Sequence, residues 1–254
     1  MRAPAATGLE VALVDSSGTV PKGDLRDAAR ALTQQVRTDF APAWRVDATI
    51  VAHRSPPDHA WRIELREGID EQGAAGYHAD DHRVPYAEVD LGAGDWTVTT
   101  SHELLEMLAD PWGDRLRTAA ALPGWSGRSP RVRYLLEVAD PCEAFNYLVL
   151  GLPVTDFLLP AFYRKKDATK PSSKEADPRY SQAGSLTTPL EVAEGGYITF
   201  VDPATGDVWQ RFVGGGRTED RNYGPQDLGS AQSLREWADE RARAYRAEAR
   251  DRAA

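Results

Sequence analysis

The sequence predicts an α+β protein, on three observations. Residues 9–15, 44–51, 61–66 and 84–91 carry strand-like apolar runs or apolar–polar alternation, and only one amphipathic helix falls among them. A leucine- and carboxylate-rich run at 101–111 then has helical spacing. Beyond it come two hairpin patterns, at 147–157 and 196–212, and a charged helix from 230 to about 250.

The elements follow in order. Residues 9–15, Leu-Glu-Val-Ala-Leu-Val-Asp, read as a buried strand closed by Ser16-Ser17-Gly18. Leu25, Ala28, Ala29, Leu32, Val36 and Phe40 repeat at helical spacing, and Pro42 is expected to end that helix. Residues 73–78 read as a glycine-rich loop, and the early Pro85 predicts that 84–91 is an edge strand. Residues 118–131 read as a surface loop and 132–143 as a strand that ends among carboxylates. Residues 214–229 read as irregular. The last helix carries a thin stripe of Leu234, Trp237, Ala238, Arg241, Ala242 and Tyr245. The expected organisation is a core at 1–163, a polar loop at 164–184, a hairpin segment at 185–229 that completes the domain, and the charged helix at 230–254.

With 254 residues, 41% of them apolar, the chain can bury a sizeable core. A net charge of −9 speaks against nucleic-acid and anionic-membrane partners. No apolar run reaches about 18 residues, and the N-terminus lacks a signal-peptide core. Cys142 is the sole cysteine, so a cytoplasmic protein is the expectation, with signal-independent export as the alternative.

The chemistry concentrates at 101–111. Positions four apart share a helix face, so His102 and Glu106 point the same way, with Glu103 beside them. Leu104, Leu105 and Leu108 are left for a core. Two ligand-type side chains flanking a glutamate suit a metal ion and a general base. The same letters also fit a capping box, in which Glu103 reaches back to the backbone of Thr100.

A catalytic zinc takes a third protein ligand, and the acidic run 137–143 is the best source. Glu137 ranks first, Glu143 second, and Asp140 is a partner that would orient His102. Asp140-Pro141-Cys142-Glu143 equally fits a helix start, with Asp140 and Glu143 as caps. His78 and His82 fall in the expected loop within reach of the cleft, where a histidine could polarise a substrate oxygen, although a solvated side chain is the commoner case. Tyr134, Tyr147, Tyr163 and Tyr197 are each able to donate to an oxyanion. Neighbouring carboxylates disfavour the Cys142 thiolate.

His102-Glu103-Leu104-Leu105-Glu106 resembles the zinc-peptidase pattern H-E-x-x-H with a glutamate at the second histidine position. Together with Asp110-Pro111, the run 137–143, and Val154-Thr155-Asp156-Phe157 with Pro160, it looks like a group of largely uncharacterised bacterial proteins with a zincin-like core. The order of strands and helices up to 111 is also that of zincin catalytic domains, where the edge strand beside the cleft pairs with an extended substrate. The resemblance implies a zincin-like core, a twisted mixed sheet with an active-site helix, and places His102, Glu103 and Glu106 at the matching positions.

The function expected is zinc-dependent hydrolysis, of a peptide bond, by a metal-held water with Glu103 as general base. The alternatives are an inactive scaffold, cargo or binding protein, and a metalloenzyme acting on a small molecule in a pocket walled by 164–184. An oxygen-rich set of Glu106, Asp110, Glu137, Asp140 and Glu143 would suit calcium in place of zinc, or the fold would hold no metal.

Overall fold

Strands that bury every second residue leave one face of a sheet for helices and one for water, and this alternation sets the architecture. The computed structural model of the chain describes residues 8–70, 73–164, 179–227, 229 and 231–253, with side chains as far as 244. Strands β1 (Leu9–Asp15), β2 (Ala48–His53), β3 (Trp61–Arg66), β4 (Gly76–Asp81) and β5 (Val84–Asp90) form a five-stranded sheet in the order β2-β1-β3-β5-β4. Neighbours run parallel except β4, which is antiparallel to β5. On one face Val11, Leu13, Ala48, Ile50, Ile63, Leu65, Ala87 and Val89 join a single core with helices α1 (Lys22–Gln35) and, further on, α3 (Trp96–Ala109). The other face carries the Arg62–Glu64–Arg66–Glu88 ion pairs at 2.8–3.0 Å.

Two expectations about this sheet are corrected. The glycine-rich stretch supplies β4, which is the edge strand, while 84–91 supplies the internal β5. Pro85 is tolerated there because β5 begins to pair with β3 only at Tyr86. The first helix also runs on past Phe40. A π-turn at Val36–Phe40 leads into a short helix α2 (Ala41–Trp44), where Pro42 lies in the first turn and forfeits no hydrogen bond. The chain then leaves through Arg45 in a left-handed conformation, φ 65°.

The second half of the chain builds an antiparallel sheet. Residues 118–131, expected as a loop, contribute most of β6 (Leu116–Ala120), which pairs with β7 (Arg131–Leu135). A hairpin of β8 (Asn146–Val149) and β9 (Leu152–Thr155) follows as expected. Strands β10 (Tyr197–Val201), β11 (Asp207–Gly214) and β12 (Arg217–Pro225) extend the sheet to β12-β11-β10-β7-β6. The stretch 214–229 is therefore mostly strand, and the late hairpin completes a sheet begun before residue 163. Most of the expected polar loop, 165–178, lies outside the described residues.

Helix α4 (Leu234–Ala253) docks on this second sheet. Leu234, Trp237 and Ala238 pack with Ala231, Leu135, Val201 and Val208. Its start is tied to the turn after α3 by Leu234 N–H to Asp114 Oδ1 (3.0 Å) and Arg235 N–H to the Gly113 carbonyl (3.0 Å). The Tyr245 side chain lies outside the described residues. Among the described residues, no helix is long and apolar enough to cross a membrane.

A buried polar link fixes where α3 lies. Gln35, at the end of α1, donates Nε2 to the Thr155 carbonyl (3.1 Å) and accepts from Ser101 Oγ (2.7 Å), and Ser101 Oγ accepts the Thr155 N–H (3.2 Å). All three residues are fully buried, so an unmade bond here carries the whole desolvation cost. Replacing Gln35 by Ala should lower unfolding free energy by about 1–3 kcal/mol, read by urea denaturation. A loss under about 0.5 kcal/mol would show that the link does not position α3.

Candidate metal centre

The helix that bears the candidate residues starts earlier than the capping reading requires. Asp95 is the N-cap of α3 and accepts the Thr97 N–H at 3.0 Å. Thr100 is thus inside the helix, where its hydroxyl donates to the Trp96 carbonyl at 2.6 Å. Glu103 has no capping task, and its carboxylate is buried facing a cavity of about 610 Å³. One turn on from His102, Glu106 brings Oε2 to 3.2 Å from His102 Nε2.

The third group arrives on the turn after β7. Glu106 Oε1 accepts the backbone N–H groups of Ala139 (3.0 Å) and Asp140 (3.2 Å), which ties that turn to α3. Asp140 Oδ1 thereby comes to 3.2 Å from His102 Nε2. The residue does not cap the short 3₁₀ turn Asp140–Cys142, whose N-cap is Ala139 with no side-chain bond. Gly196 allows this packing, since a Cβ there would lie 2.8 Å from the Asp140 carbonyl oxygen and 2.7 Å from that of Pro141.

His102, Glu106 and Asp140 therefore converge, with one ligand atom from each within 4.8 Å of the others. Ligands around a tetrahedral zinc at ~2.1 Å sit about 3.4 Å apart, close to the spacing seen. The sequence ranking put Glu137 and Glu143 ahead of Asp140, and the distances favour Asp140. Glu137 lines the cavity with Oε2 3.8 Å from His78 Nε2, and it joins neither converging set. Glu143 lines the same cavity but joins neither cluster of converging ligand atoms.

His78, expected in a solvated loop, is only 2% exposed, on β4. It shares a register position with Ala87 on the helix-facing side of the sheet, and its Nδ1 lies 3.3 Å from Glu103 Oε2. Gly76 makes the approach feasible, because a Cβ there would stand 2.8 Å from Thr99 Cγ2 and 3.0 Å from Glu103 Oε1. His78, Glu103 and Glu106 form the second converging set. His82 sits in the exposed β4–β5 turn, 3.7 Å from Asp81 Oδ1, as expected of a solvated histidine.

Arg235 escaped the sequence reading. It stands in the first turn of α4 with Nη1 3.4 Å from His78 Nδ1 and Nη2 3.9 Å from Asp239 Oδ2, and it lines the cavity. Nothing in the spacing of a charged helix marks one arginine as inward-facing.

The charges strain against burial. For Glu137, burial and then the Glu106 carboxylate push the pKa well above the ordinary range, and Asp140 is raised for the same two reasons. Burial works against a charged His102, yet Glu106 and Asp140 more than offset it and raise its pKa well above the usual value. Burial also opposes the charge on Glu106, but His102 outweighs it and holds Glu106 low. Groups that carry a proton would have to lose it before binding a metal, since ligands bind metals in deprotonated form.

The donor set fits zinc better than calcium. Each converging set has one imidazole and two carboxylates, and a nitrogen donor suits zinc. Asp110, counted in the oxygen-rich set, spends its carboxylate on the turn after α3 by accepting the N–H groups of Asp114 (3.2 Å) and Arg115 (2.7 Å). His78 Nε2 is buried with no hydrogen-bond partner, as are several tryptophan nitrogens elsewhere in the fold.

Of the four tyrosines, Tyr197 lines the cavity. Burial and nearby Asp140 and Asp239 keep its hydroxyl protonated far above neutral pH. Tyr134 and Tyr147 spend their hydroxyls on the Ala120 carbonyl (2.7 Å) and Asp39 Oδ2 (2.8 Å). Cys142 is fully buried, and burial followed by Asp156 and Asp140 pushes its thiol well above its usual pKa, in line with an inert side chain.

Compared with known proteins, the chain matches no family model, no curated protein and no solved structure.

Proposed function

We propose that the chain is a zinc-dependent hydrolase with a zincin-like core that cleaves a peptide bond. The observation that carries the reading is the convergence of His102 Nε2, Glu106 Oε2 and Asp140 Oδ1, with the Glu103 carboxylate next to them on the same helix. Those three residues would hold the zinc, leaving a position open as catalytic sites do. Zinc, when bound, supplies Lewis-acid polarisation of the scissile carbonyl and lowers the pKa of water.

The chain's own groups account for the rest. Glu103 accepts a proton from the attacking water and passes it to the leaving amine. His78 Nδ1, 3.3 Å away, holds the Glu103 carboxylate toward the cavity. Tyr197 offers a neutral hydroxyl as donor to the developing oxyanion. Arg235 adds positive charge to a wall otherwise crowded with carboxylates.

Substrate entry is supported by the sheet. Among the described residues β4 pairs only with β5, so its outer edge is unpaired, and Gly76 and Tyr77 of β4 line the cavity. An extended peptide adding to that edge would pass its backbone over α3. Most of residues 164–184, the wall expected for the small-molecule alternative, lies outside the described residues.

Two measurements test the reading. Purified protein should contain about one or more equivalents of zinc per chain. A content below about half an equivalent of any transition metal, unchanged on adding zinc, overturns it. Glu103→Gln should lower cleavage of a mixture of short peptides, followed by mass spectrometry, by at least about 100-fold while zinc is retained. Unchanged cleavage would remove Glu103 from the base role, and loss of zinc would make it a ligand instead.

A further inference from the structure

We propose that the groove formed by α1, β2 and the turn of the β8–β9 hairpin docks an acidic amphipathic helix of a partner protein. It is independent of the metal reading, since no residue lining this groove lines the acid-lined cavity.

Two kinds of side chain build the groove. It has a volume of about 820 Å³, and Ala29 of α1, Ile50, Val51 and Ala52 of β2, and Leu150 of the hairpin turn give it an apolar lining. Arg26, Arg30 and Arg37 line it as well, and no carboxylate does. Intervals of four and seven residues put the three arginines on one face of α1 and of the π-turn that continues it.

The hairpin turn carries an apolar residue that the fold itself does not use. Leu150 and Gly151, with φ of 52° and 86°, join β8 to β9 in the left-handed geometry of a tight hairpin turn. Asparagine or glycine suits the first of these positions, whereas a leucine there bears a steric cost. Leu150 is nevertheless 55% exposed, with Leu148 at 69% and Phe145 at 40% just before it, and these three are the exposed large apolar side chains among the described residues. A leucine that is both strained and in water gains nothing from its own chain, so the contact it suits lies outside.

Charge selects the partner. The chain carries −9 overall, which repels a second copy on balance, while the groove presents cations alone. Arg30 lies 3.2 Å from Asp27 and Arg37 lies 3.8 Å from Asp47, but both pairs are solvent-exposed. Such pairs contribute little, so a partner's carboxylates can replace them.

The covering of β2 selects the partner's shape. Among the described residues β2 pairs only with β1, yet its edge is not free for another strand. In the middle of β2, the Thr33 hydroxyl accepts the Ile50 N–H (2.9 Å) and donates to the Ile50 carbonyl (3.2 Å). An added strand would need both groups, whereas a helix satisfies its own backbone and needs only an apolar groove with complementary charge beside it. At 1.5 Å rise per residue, Arg26 and Arg37 stand about 16 Å apart along α1, the length of about three turns of a partner helix.

The test is selection of random phage-displayed peptides of about 16 residues on the full-length protein, with affinities of the selected peptides then read by fluorescence anisotropy. Enriched sequences should be rich in Asp and Glu, with apolar residues at i, i+3, i+4 and i+7, and should bind more weakly as salt rises. Affinity should fall at least about 10-fold both for the double variant Arg30→Glu with Arg37→Glu and for Leu150→Asn, which suits the turn. Near-ultraviolet circular dichroism checks that each variant keeps its packing, and Leu150→Asn serves if the charge reversal does not fold. Absence of enrichment, enrichment without acidic bias, or affinity unchanged in either folded variant overturns the proposal. Without peptide enrichment, a parent dimer in sedimentation that the double variant dissolves would assign the groove to a second copy. Phosphatidylserine vesicles that bind the parent but not the double variant would assign it to a lipid surface, and either result overturns the helix.

Discussion

The two backbone N–H groups that Glu106 Oε1 accepts, from Ala139 and Asp140, are the contact on which the site depends. They fasten the turn following β7 to the middle of α3, and so join an element of the antiparallel sheet to a helix seated on the parallel one. Asp140 reaches His102 from a backbone that this contact helps to hold. The same acceptance fixes the Glu106 carboxylate and aims Oε2 at the imidazole. A charged acceptor binding two N–H groups in a buried setting is a strong bond pair, and removing it would release ligand and turn together.

Around that contact the fold concentrates charge that would otherwise favour unfolding. Buried carboxylates cost several kcal/mol each when unpaired. Glu103, Glu106, Glu137, Asp140, Glu143 and Asp239 line the cavity with the His102 imidazole and the guanidiniums of Arg221, Arg235 and Arg243. Stability elsewhere carries this load: the apolar face of the parallel sheet under α1 and α3, and the smaller cluster that seats α4. Helix α4 thus has a double role. Its apolar stripe docks on the second sheet while Arg235, one residue after Leu234, delivers a cation to the acid-lined wall.

Local periodicity made much of the framework legible. The strand at Trp61–Arg66 and the hairpin near residues 147–155 follow from alternation, and the α3 face follows from four-residue spacing. What local pattern could not show was pairing. Pro85 pointed to an edge because proline lacks a donor, but whether a donor is needed depends on where the neighbour strand starts, a long-range fact. His78 looked solvated because polar, glycine-containing neighbours resemble a loop, whereas the glycine serves the close approach of β4 to α3. The candidate site divides along the same line. His102, Glu103 and Glu106 were visible as one helix face, while Asp140, His78 and Arg235 were brought there by tertiary contacts, and residues 137–143 offered three acids with no local feature to rank them.

The glutamate at 106 has a physical rationale of its own. A neutral imidazole has a single acceptor nitrogen, so a histidine used as a metal ligand has none left for backbone N–H groups. A carboxylate has two oxygens, and here one is committed to Ala139 and Asp140 while the other faces His102. A glutamate at 106 can therefore do more than a histidine there, because under the proposed metal reading one side chain would act as ligand and as anchor for the segment that carries Asp140. Asp140 lies 3.2 Å from His102 Nε2 on a turn that Glu106 itself holds in place. Glu106 thus ties down the backbone of the residue whose carboxylate meets the same imidazole.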